Sequence, residues 1–190
     1  MKEQFKMIQF VVILGIVAAG ILIGSQGYTM DLITENQEYT LKSTILNAFE
    51  IDFTEATVLD VYEKSVRKEV KDDTVLYYSE DGTVGFEING KGLWGPIDGF
   101  MTLEPDLVTI KAIQIIYNEE TPGLGGVIAE QWYLNKFKGK KFSPAIAIIK
   151  SADMSSETEI DSISGATMTS NAFELMLNEN YQNQKEVLNQ

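Results

Sequence analysis

The residues whose types and spacing could do chemistry lie in one run near the C-terminal end, Asp161-Ser162-Ile163-Ser164-Gly165-Ala166-Thr167-Met168-Thr169-Ser170. It leads straight into an amphipathic segment carrying Ala172, Phe173, Leu175, Met176 and Leu177, so hydroxyls and backbone N–H groups converge at a helix start. First-turn N–H groups lack intrahelical partners and the helix dipole is positive there, which suits the place to an anion. The plainer reading is an ordinary capped helix, with Ser164 or Thr167 satisfying those N–H groups. Spacing alone leaves both open.

Two glycine-dense stretches precede this run. Gly90-Lys91-Gly92-Leu93-Trp94-Gly95-Pro96-Ile97 reads either as a turn whose Trp walls a planar ligand or as a hairpin corner with a core Trp. Glu120-Thr121-Pro122-Gly123-Leu124-Gly125-Gly126 is a loop before a helical pattern. Its N–H groups could meet a phosphate or a ring edge, with Thr121 giving a hydroxyl, but it lacks the lysine-serine ending of a nucleotide P-loop. Lys136, Lys138, Lys140 and Lys141 form a basic cluster in an acidic chain. It reads as a solvated face or as a patch for phosphate or an acidic partner. Lys150, at the end of a predicted strand, is the better single cation for neutralising a bound anion.

Taken in chain order, the three stretches resemble the FMN-binding domain family. Its members include subunits of the sodium-pumping NADH:quinone reductase and of the Rnf-type ferredoxin:NAD reductase. The run from Ser164 to Thr169, with Asp161 ahead of it, is similar to the family's flavinylation signature. There, a flavin transferase using FAD and a divalent metal joins FMN through its phosphate to a Thr hydroxyl, which the resemblance places at Thr167. It implies a cofactor set of Thr167 with Asp161, Ser164, Gly165, Ala166 and Thr169, then Gly92, Leu93 and Trp94, then Glu120, Thr121, Gly123, Leu124 and Gly125, with Lys150 beside the phosphate. No catalytic residue and no resident metal are expected. Asn118 stands where the Rnf-type branch often carries a His, so the resemblance leans to the quinone-reductase branch, although the domain looks short for it.

The function so implied is that of an electron-transfer subunit with covalent FMN, a redox part of an ion-translocating oxidoreductase complex rather than an enzyme alone. Its partners would be multi-helix membrane subunits, which must form the ion path, and the flavin transferase that matures it. Two other readings stay open: a free-standing membrane-anchored extracytoplasmic FMN carrier, and a non-redox membrane-anchored binding module.

The elements that must position these residues fit one anchor and one modest domain in 190 residues. The chain has no Cys and no His, which removes thiolate-held zinc, iron–sulfur clusters, His-ligated haem and His-based triads from this chain. An electron carrier here must be organic. A formal charge of −13 argues against nucleic acid. Residues 7–27 are apolar enough to cross a bilayer once, and Lys2 and Lys6 on the short side put the N-terminus in the cytoplasm and the domain outside. A cleaved signal peptide competes with this, but the small residues Ala18, Ala19 and Gly20 sit inside the apolar run rather than after it.

Three regions follow: a cytoplasmic tip and transmembrane anchor over 1–27, a helical stalk or linker over 28–72, and an extracytoplasmic FMN-binding domain over 73–190. A helical pattern covers 54–70. Beyond it, hairpins are predicted from 75–78 with 84–88 and from 100–103 with 108–117, a further strand over 145–150, and helices over 127–137 and 168–182. The fold class is α+β, a mostly antiparallel sheet covered by helices.

Overall fold

A computed structural model describes residues 2–71, 74–153 and 155–188, the side chain of Asp31 excepted. Asp72 and Asp73, where the sequence changes texture, lie outside the described residues. Helix α1 (Lys2–Ala48) contains one apolar stretch, Lys2–Met30, long enough to span a membrane. Its large apolar side chains between Phe5 and Ile23 are all more than half exposed, which suits lipid and not a protein core.

Packing divides the chain at 39/40. The second compact unit therefore starts within α1, whereas the sequence boundary falls at 72/73. The reason is visible in the last turns of α1, where Ile45, Leu46 and Ala48, followed by Phe49, are buried. They form a cluster with Val66, Tyr77 and Phe100 on one face of the sheet.

The helical pattern over 54–70 stops early. Helix α2 (Val58–Ser65) ends at an extended Val66, and strand β1 (Val66–Lys71) follows. β1 pairs antiparallel with β2 (Thr74–Ser79), placing Arg67 opposite Tyr78 and Lys68 opposite Tyr77. Each cation lies over a ring, at 5.1 and 5.6 Å. Cross-strand contacts of this kind offset the poor strand propensity of a charged segment.

Strands β3 (Val84–Lys91), β4 (Pro96–Leu103) and β5 (Ile110–Asn118) complete a five-stranded antiparallel meander in the order β1-β2-β3-β4-β5. Both predicted hairpins are present, and a third joins β3 to β4 through the glycine turn at 92–95. Alternation along β4 sends Ile97, Met101 and Leu103 into the larger core and Phe100 into the smaller one. Thr102 donates to the Ala48 carbonyl at 2.7 Å, tying the sheet to the end of α1.

The helix predicted over 127–137 is broken into a 3-10 turn (Gly125–Ala129), helix α3 (Gln131–Leu134) and a second 3-10 turn (Asn135–Phe137). Only three residues of the strand predicted over 145–150 are extended, β6 (Ala147–Ile149). They pair in parallel with β7 (Glu159–Asp161). Helix α4 (Thr167–Leu188) covers the larger core with Phe173, Met176, Leu177 and Tyr181. It approaches β3 so closely that a Cβ on Gly90 would stand 2.5 Å from Met176 Cγ. The α+β class and the mostly antiparallel sheet are as expected from the sequence.

Candidate flavin site

The start of α4 is built by a staple that the short motifs do not reveal. Ser170 Oγ donates to the Ala166 carbonyl at 3.1 Å and accepts the Ile163 N–H at 3.0 Å, while the Ala166 N–H bonds the Ile163 carbonyl at 3.0 Å. Ser170 is fully buried, and its bonds hold 163–166 in a tight turn that needs Gly165 at φ +80°. Beneath it lies Tyr133, whose phenol is pushed above its ordinary value by burial and, next, by Asp161.

Ser164 and Thr167 are both exposed. Among the described residues, neither hydroxyl caps the helix, so the first-turn N–H groups of Thr167 and Met168 keep no protein partner. The plain capped-helix reading is therefore not what this turn does. Thr167 opens onto a cleft of about 630 Å³ lined by Ile148, Ile149, Lys150, Ser162, Ser164 and Asn171 among others.

On the other side of the helix, Thr169 is buried and donates to Glu120 Oε2 at 2.6 Å. Residues two apart on a helix point roughly 200° from one another, so one turn presents Thr167 outward and Thr169 inward. Glu120 Oε1 accepts the N–H groups of Leu93 at 2.7 Å and Trp94 at 3.0 Å. The three glycine- and hydroxyl-rich stretches thus meet at one carboxylate.

The glycine turn is closed by Gly92 N–H donating to the Gly95 carbonyl at 2.8 Å. It is a hairpin corner, but its Trp is not in the core: Trp94 is 69% exposed and Leu93 41%. In the second loop, the Thr121 carbonyl accepts the N–H groups of Leu124 at 3.1 Å and Gly126 at 2.9 Å, and Gly123 takes φ +74°. Leu124, 46% exposed, leans over Gly165, where a Cβ would stand 3.3 Å from Leu124 Cδ2. Thr121 is exposed beside it. Met168, next to Thr167 in the chain, is exposed as well.

Two residues act as braces. Asp161 Oδ1 accepts the Ala152 N–H at 3.0 Å and its Oδ2 lies 3.8 Å from Lys136 Nζ, so it orders the turn after β6. Asn118 Oδ1 accepts the Glu120 N–H at 3.1 Å, the local bond of an Asx turn. Of the lysine cluster, Lys136, Lys138 and Lys141 pair with Asp161, Glu50 and Glu157, and Lys140 with the Ser156 carbonyl. Lys150, exposed at the cleft, is the cation next to Thr167.

The residues present fit a flavin nucleotide. An open hydroxyl at an uncapped helix start suits a phosphoester, and the exposed Trp94, Leu93 and Leu124, on two loops that meet at Glu120, suit a planar ring. The family model described as FMN-binding domain, the family that the three motifs resemble, matches residues 92–182, which take in all of the three stretches but Gly90 and Lys91.

The particular relatives are consistent with one another. The C subunit of the Na(+)-translocating NADH-quinone reductase of Neisseria meningitidis is 37% identical over 106 residues, which is 52% of this chain and 41% of that protein. Its counterpart in Vibrio alginolyticus is 41% identical over 90 residues, 44% of this chain and 35% of that protein. The chain thus spans about two fifths of the length of the curated relatives it matches. Among solved structures, the C subunit of the Na(+)-translocating NADH-quinone reductase from Parabacteroides distasonis superposes with a TM-score of 0.74 at 22% identity, over 85% of this chain and 97% of that one. Shewanella oneidensis NqrC gives 0.66 at 20% identity, over 77% and 96%. These likenesses establish the fold.

Proposed function

We propose that the chain is an electron-transfer subunit that carries FMN through a phosphoester on Thr167, in a membrane complex of the Na(+)-translocating NADH-quinone reductase type. The observation that carries this is the exposed, uncapped Thr167, which opens onto a cleft shared with Lys150 at the start of the helix whose Thr169 is joined through Glu120 to the turn of Leu93 and Trp94. In maturation, the Thr167 hydroxyl oxygen displaces AMP from the FMN phosphorus of FAD and gives up its proton to the transferase. The free N–H groups of the first helical turn and Lys150 then face the phosphodiester charge. Leu93, Trp94, Thr121 and Leu124 hold the ring and keep water from one side of it. The bound flavin supplies reversible electron uptake and release between neighbouring carriers.

Supporting the membrane setting is the apolar span Lys2–Met30. Lys2 and Lys6 ahead of it favour a cytoplasmic N-terminus with the flavin domain on the opposite side. One such helix cannot make an ion path, so multi-helix partner subunits supply it. The limited share of the relatives that the chain covers keeps a second reading in view: a membrane-anchored FMN carrier outside any pump.

The test is co-expression with a flavin transferase and inspection of the denatured band under ultraviolet light. The wild-type chain is expected to fluoresce at its 21.2 kDa position, with the FMN mass on the peptide holding Thr167. Thr167→Ala is expected to be dark while melting normally, because the side chain is exposed and makes no bond. Covalent flavin recovered from Thr167→Ala would remove the assignment.

A further inference from the structure

We propose that Glu120 is the positioning residue of this site. Its carboxylate fixes the turn carrying Leu93 and Trp94 to the helix carrying Thr167, and so sets the direction in which a flavin tethered at Thr167 presents its ring. The inference rests on the reading of Thr167 as the attachment point.

A phosphoester holds the cofactor by one end only. Several rotatable bonds separate that end from the ring, so the ring's direction is decided by the protein surface it lies against, and that surface must itself be held still. The surface here is made of exposed loop residues, which are not fixed by core packing. What fixes them is Glu120, only 5% exposed, reaching across 26 and 27 residues to Trp94 and Leu93 and across 49 to Thr169. Both oxygens accept, three donors are used, and the Glu120 N–H is itself held by Asn118. A buried carboxylate stripped of any of these donors would be costly, so the joined segments keep one arrangement.

The glycines supply an independent sign. A Cβ on Gly92 would come within 2.4 Å of Glu120 Oε1, and one on Gly125 within 2.4 Å of Oε2 and 2.6 Å of Thr169 Oγ1. Neither glycine has positive φ. Both are small because the carboxylate occupies the space, so parts of two motifs that look like flexible glycine loops are in fact packed against one charged group. Gln is the conservative replacement: its oxygen can accept both N–H groups, and its nitrogen can donate to the Thr169 oxygen, which serves equally as acceptor.

The experiment uses the full chain, co-expressed with a flavin transferase and purified in detergent, as wild type, Glu120→Ala, Glu120→Gln and Thr169→Val. Three readouts are taken: flavin fluorescence of the denatured band, visible circular dichroism and emission of the flavin in the native protein, and amide exchange at Leu93 and Trp94. Glu120→Ala and Thr169→Val are expected to carry covalent flavin yet lose most of the flavin dichroism. Their native flavin emission should rise severalfold as the ring leaves Trp94, and both amides should exchange faster. Glu120→Gln is expected to restore all three signals toward wild type, which a role in folding alone would not explain. Wild-type dichroism and emission in labelled Glu120→Ala would overturn the proposal. If that variant does not accumulate, Thr169→Val, which removes one hydroxyl and keeps the shape, carries the same decision. A wild-type chain that takes no flavin overturns the Thr167 reading and this role with it, and is told apart because the failure appears without any substitution.

Discussion

Gly165 shows how a single backbone angle sets up the candidate site. At φ +80° it turns the chain so that the Ala166 carbonyl can accept from Ser170 while Thr167 faces outward, and it lies directly beneath Leu124. Replacing it with Ala adds a Cβ in the left-handed region and pushes it to 3.3 Å from Leu124 Cδ2. The expected cost is about 1–2 kcal/mol, read as a lower midpoint in urea denaturation with an unchanged slope. Flavin loading of Gly165→Ala should fall as well, since the exposed hydroxyl is re-aimed; full loading at unchanged stability would count against the turn as the determinant. At this scale the sequence is legible where a residue's role is local. Thr167 and Gly165 stand in one short motif, whereas the motif of Trp94 leaves open whether the ring faces out or into the core. Glu120 as the common acceptor is not legible in this way, because its donors at Leu93, Trp94 and Thr169 are brought close only by the fold, whereas the partners of Ser170 and Asn118 lie within seven residues of them.

At the scale of elements, α4 does more than bury an apolar stripe. Its side-chain amides stand in for missing strand neighbours. Asn178 accepts the Ile146 N–H at 2.9 Å and donates to the Ile146 carbonyl at 2.8 Å. Asn180 does the same for Asn89, at 3.3 and 2.8 Å, and Glu174 accepts the Ile148 N–H. Short β6 has its partner strand on one edge and these α4 side chains on the other, which is why the wall carrying Lys150 can be extended at all. Asn178→Ala leaves the Ile146 N–H and C=O without these partners in a nearly buried place. It should cost about 1–3 kcal/mol in chemical denaturation, and faster amide exchange at Ile146 than at Phe100 would locate the damage at this edge; uniform loosening would contradict it. The hairpins of β2 to β5 were legible because alternation and turn residues are local signals. β1 was not, since its fitness as a strand comes from Tyr77 and Tyr78 opposite its cations. The helix over 127–137 was overestimated because periodic apolar residues are equally well buried by three short turns.

For the whole molecule, the question is where the folded unit begins. Composition changes near 72/73, which is where a reader of the sequence draws the boundary, yet packing draws it at 39/40. The polar segment over 28–72 hides its contribution because the buried side chains of α1 are confined to its last turn, Ile45, Leu46 and Ala48. Ile45, Leu46 and Phe49 are at most 2% exposed, and Phe49 meets Phe100 with ring centres 6.1 Å apart. Each such side chain stabilises the fold by about 1.5–3 kcal/mol, so the three together are comparable with the net stability of a typical domain, roughly 5–15 kcal/mol. Two truncations decide between the boundaries. A chain of residues 40–190 keeps the second cluster, β1 and the Thr102 bond to Ala48, and is expected to be soluble, to melt cooperatively and to accept flavin from a transferase. A chain of residues 74–190 loses all of these and bares the edge of β2, a strand edge open to pairing with other chains, so it should aggregate or melt without a cooperative transition. Flavin attachment would then separate the same way, present on the longer piece and absent from the shorter, because the turn at Thr167 rests on a sheet that only the longer piece can complete. Equal melting of the two pieces would place the boundary back at the change in composition and reduce the end of α1 to a spacer.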